Sequence, residues 1–132
     1  MAQRGQGIVI RDAHFPGRAP VDAYGNGGFR FAKMSHRGSI LSVPSGIYGW
    51  TPAAVEELTV EAFERVFEEA GEIEVLLIGT GPDIRRIPPW LREEFRARAI
   101  RADAMATGAA VRTYNVLLSE DRAVAAALLA VD

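Results

Sequence analysis

Two glycine turns carry the groups in this chain best suited to holding a small ligand. The first is Gly79-Thr80-Gly81-Pro82-Asp83, directly after the apolar run Val75-Leu76-Leu77-Ile78. The second is Ala106-Thr107-Gly108, with Arg112 and Asn115 on the segment that follows. Backbone N–H groups left open by glycine, two threonine hydroxyls and the positive end of a helix would together favour an anion. Arg112 would add a guanidinium. Asn115 is mildly unfavourable inside a helix, which points to a polar task. The same residues also suit a plainer role, two tight strand exits whose Thr107 caps its own helix, and both readings stay open.

Stronger signatures are missing. Gly79-x-Gly81 is followed by Ile84 where the third glycine of a dinucleotide fingerprint belongs, and there is no GK[ST] phosphate loop. Cysteine is absent, which removes disulfides, thiolate zinc sites and cysteine nucleophiles. His14 and His36 are the only histidines, and neither has a carboxylate at metal-ligand spacing. Ser35 beside His36 is no nucleophile–base pair, because adjacent residues of an extended chain point apart. Asp83 is the one carboxylate near either turn. No catalytic residue, metal or cofactor is therefore assigned, and binding is the expected class rather than turnover.

The elements that would position these turns follow from periodicity. The 132 residues are 48% apolar and 24% charged with net charge −2, which fits one packed domain with no general attraction to nucleic acid. Fourteen of the fifteen basic residues are arginine, which suits surface positions of an arginine-biased composition. Residues 1–50 read as β. Strands are expected at Ile8-Val9-Ile10, at Val21 to Tyr24 and at Phe29 to Lys33, the last two joined through Gly25-Asn26-Gly27-Gly28. Ser35-His36-Arg37-Gly38 reads as a turn leading to a hairpin partner, Ile40 to Val43. Ile47 to Trp50 reads as a short edge strand or extended loop.

Residues 51–132 read as α/β. Thr59 can cap a helix with Phe63, Val66, Phe67 and Ala70 inward and Gly71 at its end. Val75 to Ile78 has the uninterrupted apolar run of a strand buried on both faces. Pro88 and Pro89 can open a second helix with Trp90, Leu91 and Phe95 inward. A strand over Ile100 to Met105 and a helix from Thr107 follow. Ala123 to Val131 suits helix by propensity and a buried strand by length and position; strand is the reading adopted. That nine-residue run falls short of the ~20 residues of a membrane span, and no secretory leader is read at the start, so a cytoplasmic protein is expected. The expected fold is α/β and three-layered: a central mixed, mostly parallel sheet flanked by helices, with an N-terminal antiparallel accessory β-sheet, in one domain over 1–132.

Gly46-Ile47-Tyr48-Gly49-Trp50, Leu76-Leu77-Ile78-Gly79-Thr80-Gly81 and the run Thr107 to Leu118 occur in that order. Together they resemble a small widespread family, the Mth938-like domains, which includes the mitochondrial respiratory complex I assembly factor 3. The resemblance spans about Ile8 to Val131. It implies a central mixed sheet with one antiparallel strand, and it places Gly79, Thr80, Gly81, Thr107, Arg112, Tyr114 and Asn115 at signature positions. It implies no activity. Two functions follow as expectations. One is a non-enzymatic interaction or assembly protein, linked to building a respiratory complex. The other is a small-anion binder or enzyme in the crevice formed by Gly79, Thr80, Gly81, Asp83, Thr107, Gly108, Arg112, Tyr114 and Asn115. A protein partner or a homodimer is also considered, through an exposed patch of Phe29, Phe31, Tyr48 and Trp50.

Overall fold

The computed structural model describes residues 13–132. The strand expected at Ile8 to Ile10 lies outside them. Nine strands are described, β1 (Ala13–Pro16), β2 (Val21–Gly25), β3 (Gly28–Phe31), β4 (Met34–Arg37), β5 (Ser39–Val43), β6 (Gly46–Trp50), β7 (Val75–Gly79), β8 (Arg101–Met105) and β9 (Val124–Leu128). Three α-helices accompany them, α1 (Glu64–Glu68), α2 (Pro89–Ala97) and α3 (Thr107–Ser119). The strands form a six-stranded sheet in the order β1-β6-β5-β9-β7-β8 and a separate three-stranded sheet β2-β3-β4.

The mixed central sheet with a separate antiparallel N-terminal sheet is the architecture expected. β9, β7 and β8 are mutually parallel neighbours, while β5, β6 and β1 continue the sheet by antiparallel pairings. Four strands thus share one direction and two, β1 and β5, run against them, one more than the resemblance implies.

β7 lies inside the parallel half, and its apolar run is divided between two cores. Leu76 and Ile78 enter one, with Phe63, Val66, Leu91 and Phe95 from α1, α2 and the turn before α1. Val75 and Leu77 enter the other, with Ala110, Val111 and Tyr114 of α3 and with Phe29 and Phe31 of the small sheet. The segment with conflicting propensities is a strand, β9, wholly buried between β5 and β7. Its consecutive alanines offer only methyl groups to either core, so burial and pairing decide against intrinsic helix preference.

Several local expectations change. Ser35 to Arg37 is not a turn but part of β4, the hairpin partner of β3. The turn lies at Ala32-Lys33, where both residues adopt positive φ of 49° and 64°. Neither residue signals such a turn by type. Gly38, at φ 98°, then redirects the chain, and β5 enters the other sheet. β6 is not an edge strand, since it pairs β5 on one side and β1 on the other.

The helix expected from Thr59 is broken into a 3-10 turn at Glu61–Phe63, α1, and a second 3-10 turn at Ala70–Glu72 that contains Gly71. The Thr59 hydroxyl does accept from Ala62 N–H at 3.1 Å. The carbonyl of Ala62, however, accepts the Trp50 indole N–H at 2.7 Å, competing with the i to i+4 ladder at that point. Trp90 is half-exposed rather than inward; the buried face of α2 is Leu91 and Phe95, four residues apart. Phe29, Phe31, Tyr48 and Trp50 are all buried, so they form no exposed patch, and Tyr48 and Trp50 belong to the central sheet.

Candidate functional site

The chain leaves β7, crosses to β8 through α2, and returns through α3 to β9 on the other side of β7. The carboxyl ends of β7 and β8 therefore sit where the winding reverses, the usual ligand position in open α/β sheets. Gly79 is paired with Met105 at these ends, so the two glycine turns do face each other.

They close on one another. Thr80 N–H donates to Met105 O at 2.8 Å, and Thr107 N–H donates to Gly81 O at 2.8 Å. The Thr107 hydroxyl accepts from Gly81 N–H at 3.0 Å and donates to Leu129 O at 2.8 Å. Thr107 is thus the first residue of α3 and does not cap it; the N-cap position belongs to Ala106. The Thr80 hydroxyl lies within hydrogen-bond distance of Asp83 O (2.7 Å) and Met105 O (3.1 Å) and accepts from Arg85 N–H at 3.0 Å. Asp83 contributes its backbone carbonyl to this knot. A methyl group on Gly79 would lie 3.0 Å from Thr107 Cα and from Leu128 Cδ2, so the close approach of β7 to the start of α3 requires glycine. Gly81 needs its residue type for a different reason, a φ of +105°.

The rest of the signature faces elsewhere. Gly108 makes room for the Tyr24 hydroxyl of β2, which a side chain would strike. Asn115 binds β2 at both ends of one residue, accepting from Val21 N–H and donating to Val21 O, each at 2.9 Å. Tyr114 is fully buried, and its hydroxyl donates to Ala19 O at 2.9 Å. With its single proton committed there, the phenol oxygen is the acceptor for Ser42 Oγ–H at 2.7 Å. Arg112 is exposed and stands about 140° round α3 from Thr107, at 100° per residue. Gly79, Thr80, Gly81, Asp83 and Thr107 are therefore brought together, whereas Gly108, Tyr114 and Asn115 hold the accessory sheet to α3 and Arg112 joins neither set. Ser42 and the Ala19 carbonyl, which complete the Tyr114 network, carried no sequence signal, because pairings 72 and 95 residues apart leave no local pattern.

Asn115→Ala follows directly as a test. Asn115 is half-buried and the contact is only part-buried, so water can replace some of the lost bonding, and a loss of about 1 kcal/mol is expected by urea denaturation. Faster amide exchange should be concentrated in β2 and β3, with β7 and β9 unchanged.

The fold as a whole recurs in known proteins. Residues 21–129 match a family described as "protein of unknown function (DUF498/DUF598)". The chain belongs to that family. An uncharacterised protein of Rhodobacter capsulatus is 41% identical over 126 residues, covering 92% of this chain and 93% of that one. The mouse NADH dehydrogenase [ubiquinone] 1 alpha subcomplex assembly factor 3 is 27% identical over 122 residues, covering 92% of this chain and 66% of the mouse protein. Among solved structures, a Bartonella henselae protein described as an outer membrane protein is 62% identical with a TM-score of 0.87, covering 90% of this chain and 100% of that one. A Bordetella pertussis protein described as a Mth938-like domain is 26% identical with a TM-score of 0.74, covering 84% of this chain and 85% of that one. Among the described residues, no helix of this DUF498 chain is long and apolar enough to cross a membrane.

Proposed function

We propose that this DUF498 protein is a non-enzymatic interaction protein that helps assemble a respiratory complex. The observation carrying this reading is that the polar groups at the strand exits serve one another. Thr80, Thr107 and the Gly81 N–H each have partners inside the fold, and Asp83, the one carboxylate near the turns, joins them through its backbone carbonyl. A fold that uses its signature residues to hold itself together presents a surface rather than a reaction centre. Relatives named as assembly factors of NADH dehydrogenase support the direction of the reading. The small-anion role has less support, because Thr80, Thr107, Arg112 and Asn115 do not converge.

Deleting the gene in its native host tests the proposal. Assembled NADH dehydrogenase, measured on a blue-native gel, is expected to fall at least severalfold and to recover when the gene is restored. Unchanged levels of the assembled complex would remove the assembly role.

A further inference from the structure

The outer edge of β8 is unpaired among the described residues, since β8 has β7 as its one neighbour. Arg101 N–H donates to Glu74 O and Met105 O accepts from Thr80 N–H. By the alternation of a parallel ladder, Arg101, Asp103 and Met105 turn their peptide groups toward β7. Ala102 and Ala104 turn theirs outward. A groove of about 460 Å³ runs along this edge, lined by Ile84, Arg85, Arg86, Arg92 and the Ala102 to Ala104 stretch. Arg85 is paired with Glu56. Among the described residues Arg86 and Arg92 have no carboxylate partner, and both are exposed. Asp103 is the single acidic group lining the groove. Ile84, 68% exposed, adds an apolar contact at one end.

We infer that the β8 edge binds an extended acidic peptide segment of a partner protein, which adds a strand beside Ala102 and Ala104 with its carboxylates against Arg86 and Arg92. The outward peptide groups supply two donors and two acceptors, and the methyl side chains of Ala102 and Ala104 leave the edge open. Charge selects the occupant. The chain as a whole is acidic, with net charge −2. Yet with Arg85 paired to Glu56 this groove still offers two arginines without a carboxylate partner among the described residues, Arg86 and Arg92, against one carboxylate, Asp103. A second copy pairing through its own β8 would bring the same arginines together across a two-fold axis, which disfavours a homodimer here. The inference rests on the interaction role proposed above and gives that role a surface and a partner chemistry.

The test uses the full chain and a fluorescein-labelled peptide, Glu-Val-Glu-Val-Glu-Val-Glu. Saturable binding is expected by fluorescence anisotropy, with the largest amide shifts in a nitrogen-15 NMR spectrum at Ala102 and Ala104. A peptide N-methylated at alternate residues on its bonding edge, and a lysine version, should not bind. Arg86→Glu with Arg92→Glu should weaken binding on the order of tenfold or more. Ala104→Pro removes an outward N–H, a position where an edge strand tolerates proline, and should abolish binding while the melting curve holds. Absence of binding overturns the inference, as does equal binding of the N-methylated peptide or no effect of the arginine reversals. So does a concentration-dependent dimer that Ala104→Pro dissociates. The measurement needs no native partner, so its failure would remove this surface and leave the deletion-strain result standing on its own.

Discussion

Thr107→Val is expected to lower the unfolding free energy by about 2–5 kcal/mol, the largest loss for a near-isosteric change in this fold. The isopropyl group fills the same space as the threonine side chain, so no cavity and no overpacking are introduced. What changes is two hydrogen bonds, from Gly81 N–H at 3.0 Å and to Leu129 O at 2.8 Å. Thr107 is completely buried, so water cannot replace the hydroxyl. Each abandoned backbone group then carries its own desolvation penalty of about 1–3 kcal/mol. Thr107→Ser keeps the hydroxyl and should recover most of the loss, which separates hydrogen bonding from packing. Urea denaturation of the three proteins, with unchanged m-values, measures the effect. A valine variant as stable as the parent would mean that the knot between β7, α3 and the segment after β9 contributes little. The support for a non-enzymatic reading would weaken with it, since a dispensable hydroxyl at a strand exit is one free for another use.

The sequence made the parallel half of the fold legible and misassigned much of the antiparallel half. Val75 to Ile78 is readable because a run without polar interruption has few solutions other than a strand covered on both faces. The region around Ser35 is not, because its turn uses Ala32 and Lys33 at positive φ, residues that carry no turn signal. Register then moves by several residues, and β5 is assigned to the wrong sheet. The α1 region fails for a different reason. Its periodicity is helical, but the indole of Trp50 reaches in from a strand twelve residues away and takes the Ala62 carbonyl.

The candidate site shows the same division. The types Gly79, Thr80, Gly81 and Thr107 correctly mark a close approach of two turns, since glycine at Gly79 is required by the contact with Thr107. Spacing alone cannot say whether a hydroxyl beside such turns is open to a ligand or already bonded. Here Leu129 and Asp83 carbonyls are the deciding partners, and a backbone carbonyl has no residue type to read. Arg112 and Asn115 group together by sequence because, three residues apart, they share a helix face; Asn115 meets the Val21 backbone there, while Arg112 is exposed to solvent.

Tyr114→Phe should cost about 2–4 kcal/mol at neutral pH and should also change how stability depends on pH. The substitution leaves the Ala19 carbonyl without its donor and the Ser42 hydroxyl without its acceptor, both inside the core between α3 and the sheets. Burial raises the Tyr114 pKa above the ordinary phenol range, and this outweighs the lowering by the Ser42 hydrogen bond, the charge of Arg18 and the Ala19 hydrogen bond. In the unfolded chain the phenol ionises near pH 10, whereas in the native fold it stays protonated to higher pH. The unfolded state therefore binds fewer protons above about pH 10, and stability falls as pH rises from there through the folded pKa. Below about pH 10 the contribution is fully present and the curve should be flat with respect to this group. In Tyr114→Phe the alkaline decline assigned to this residue disappears, so parent and variant should converge as pH increases. Equilibrium denaturation at pH 8 and at two or three points above pH 10 measures the convergence. A constant gap across that range would show that Tyr114 ionises no harder in the fold than in the unfolded chain. Its hydroxyl would then have to sit in contact with water, contrary to a ring held between Ser42 and Ala19 at the junction of the two sheets.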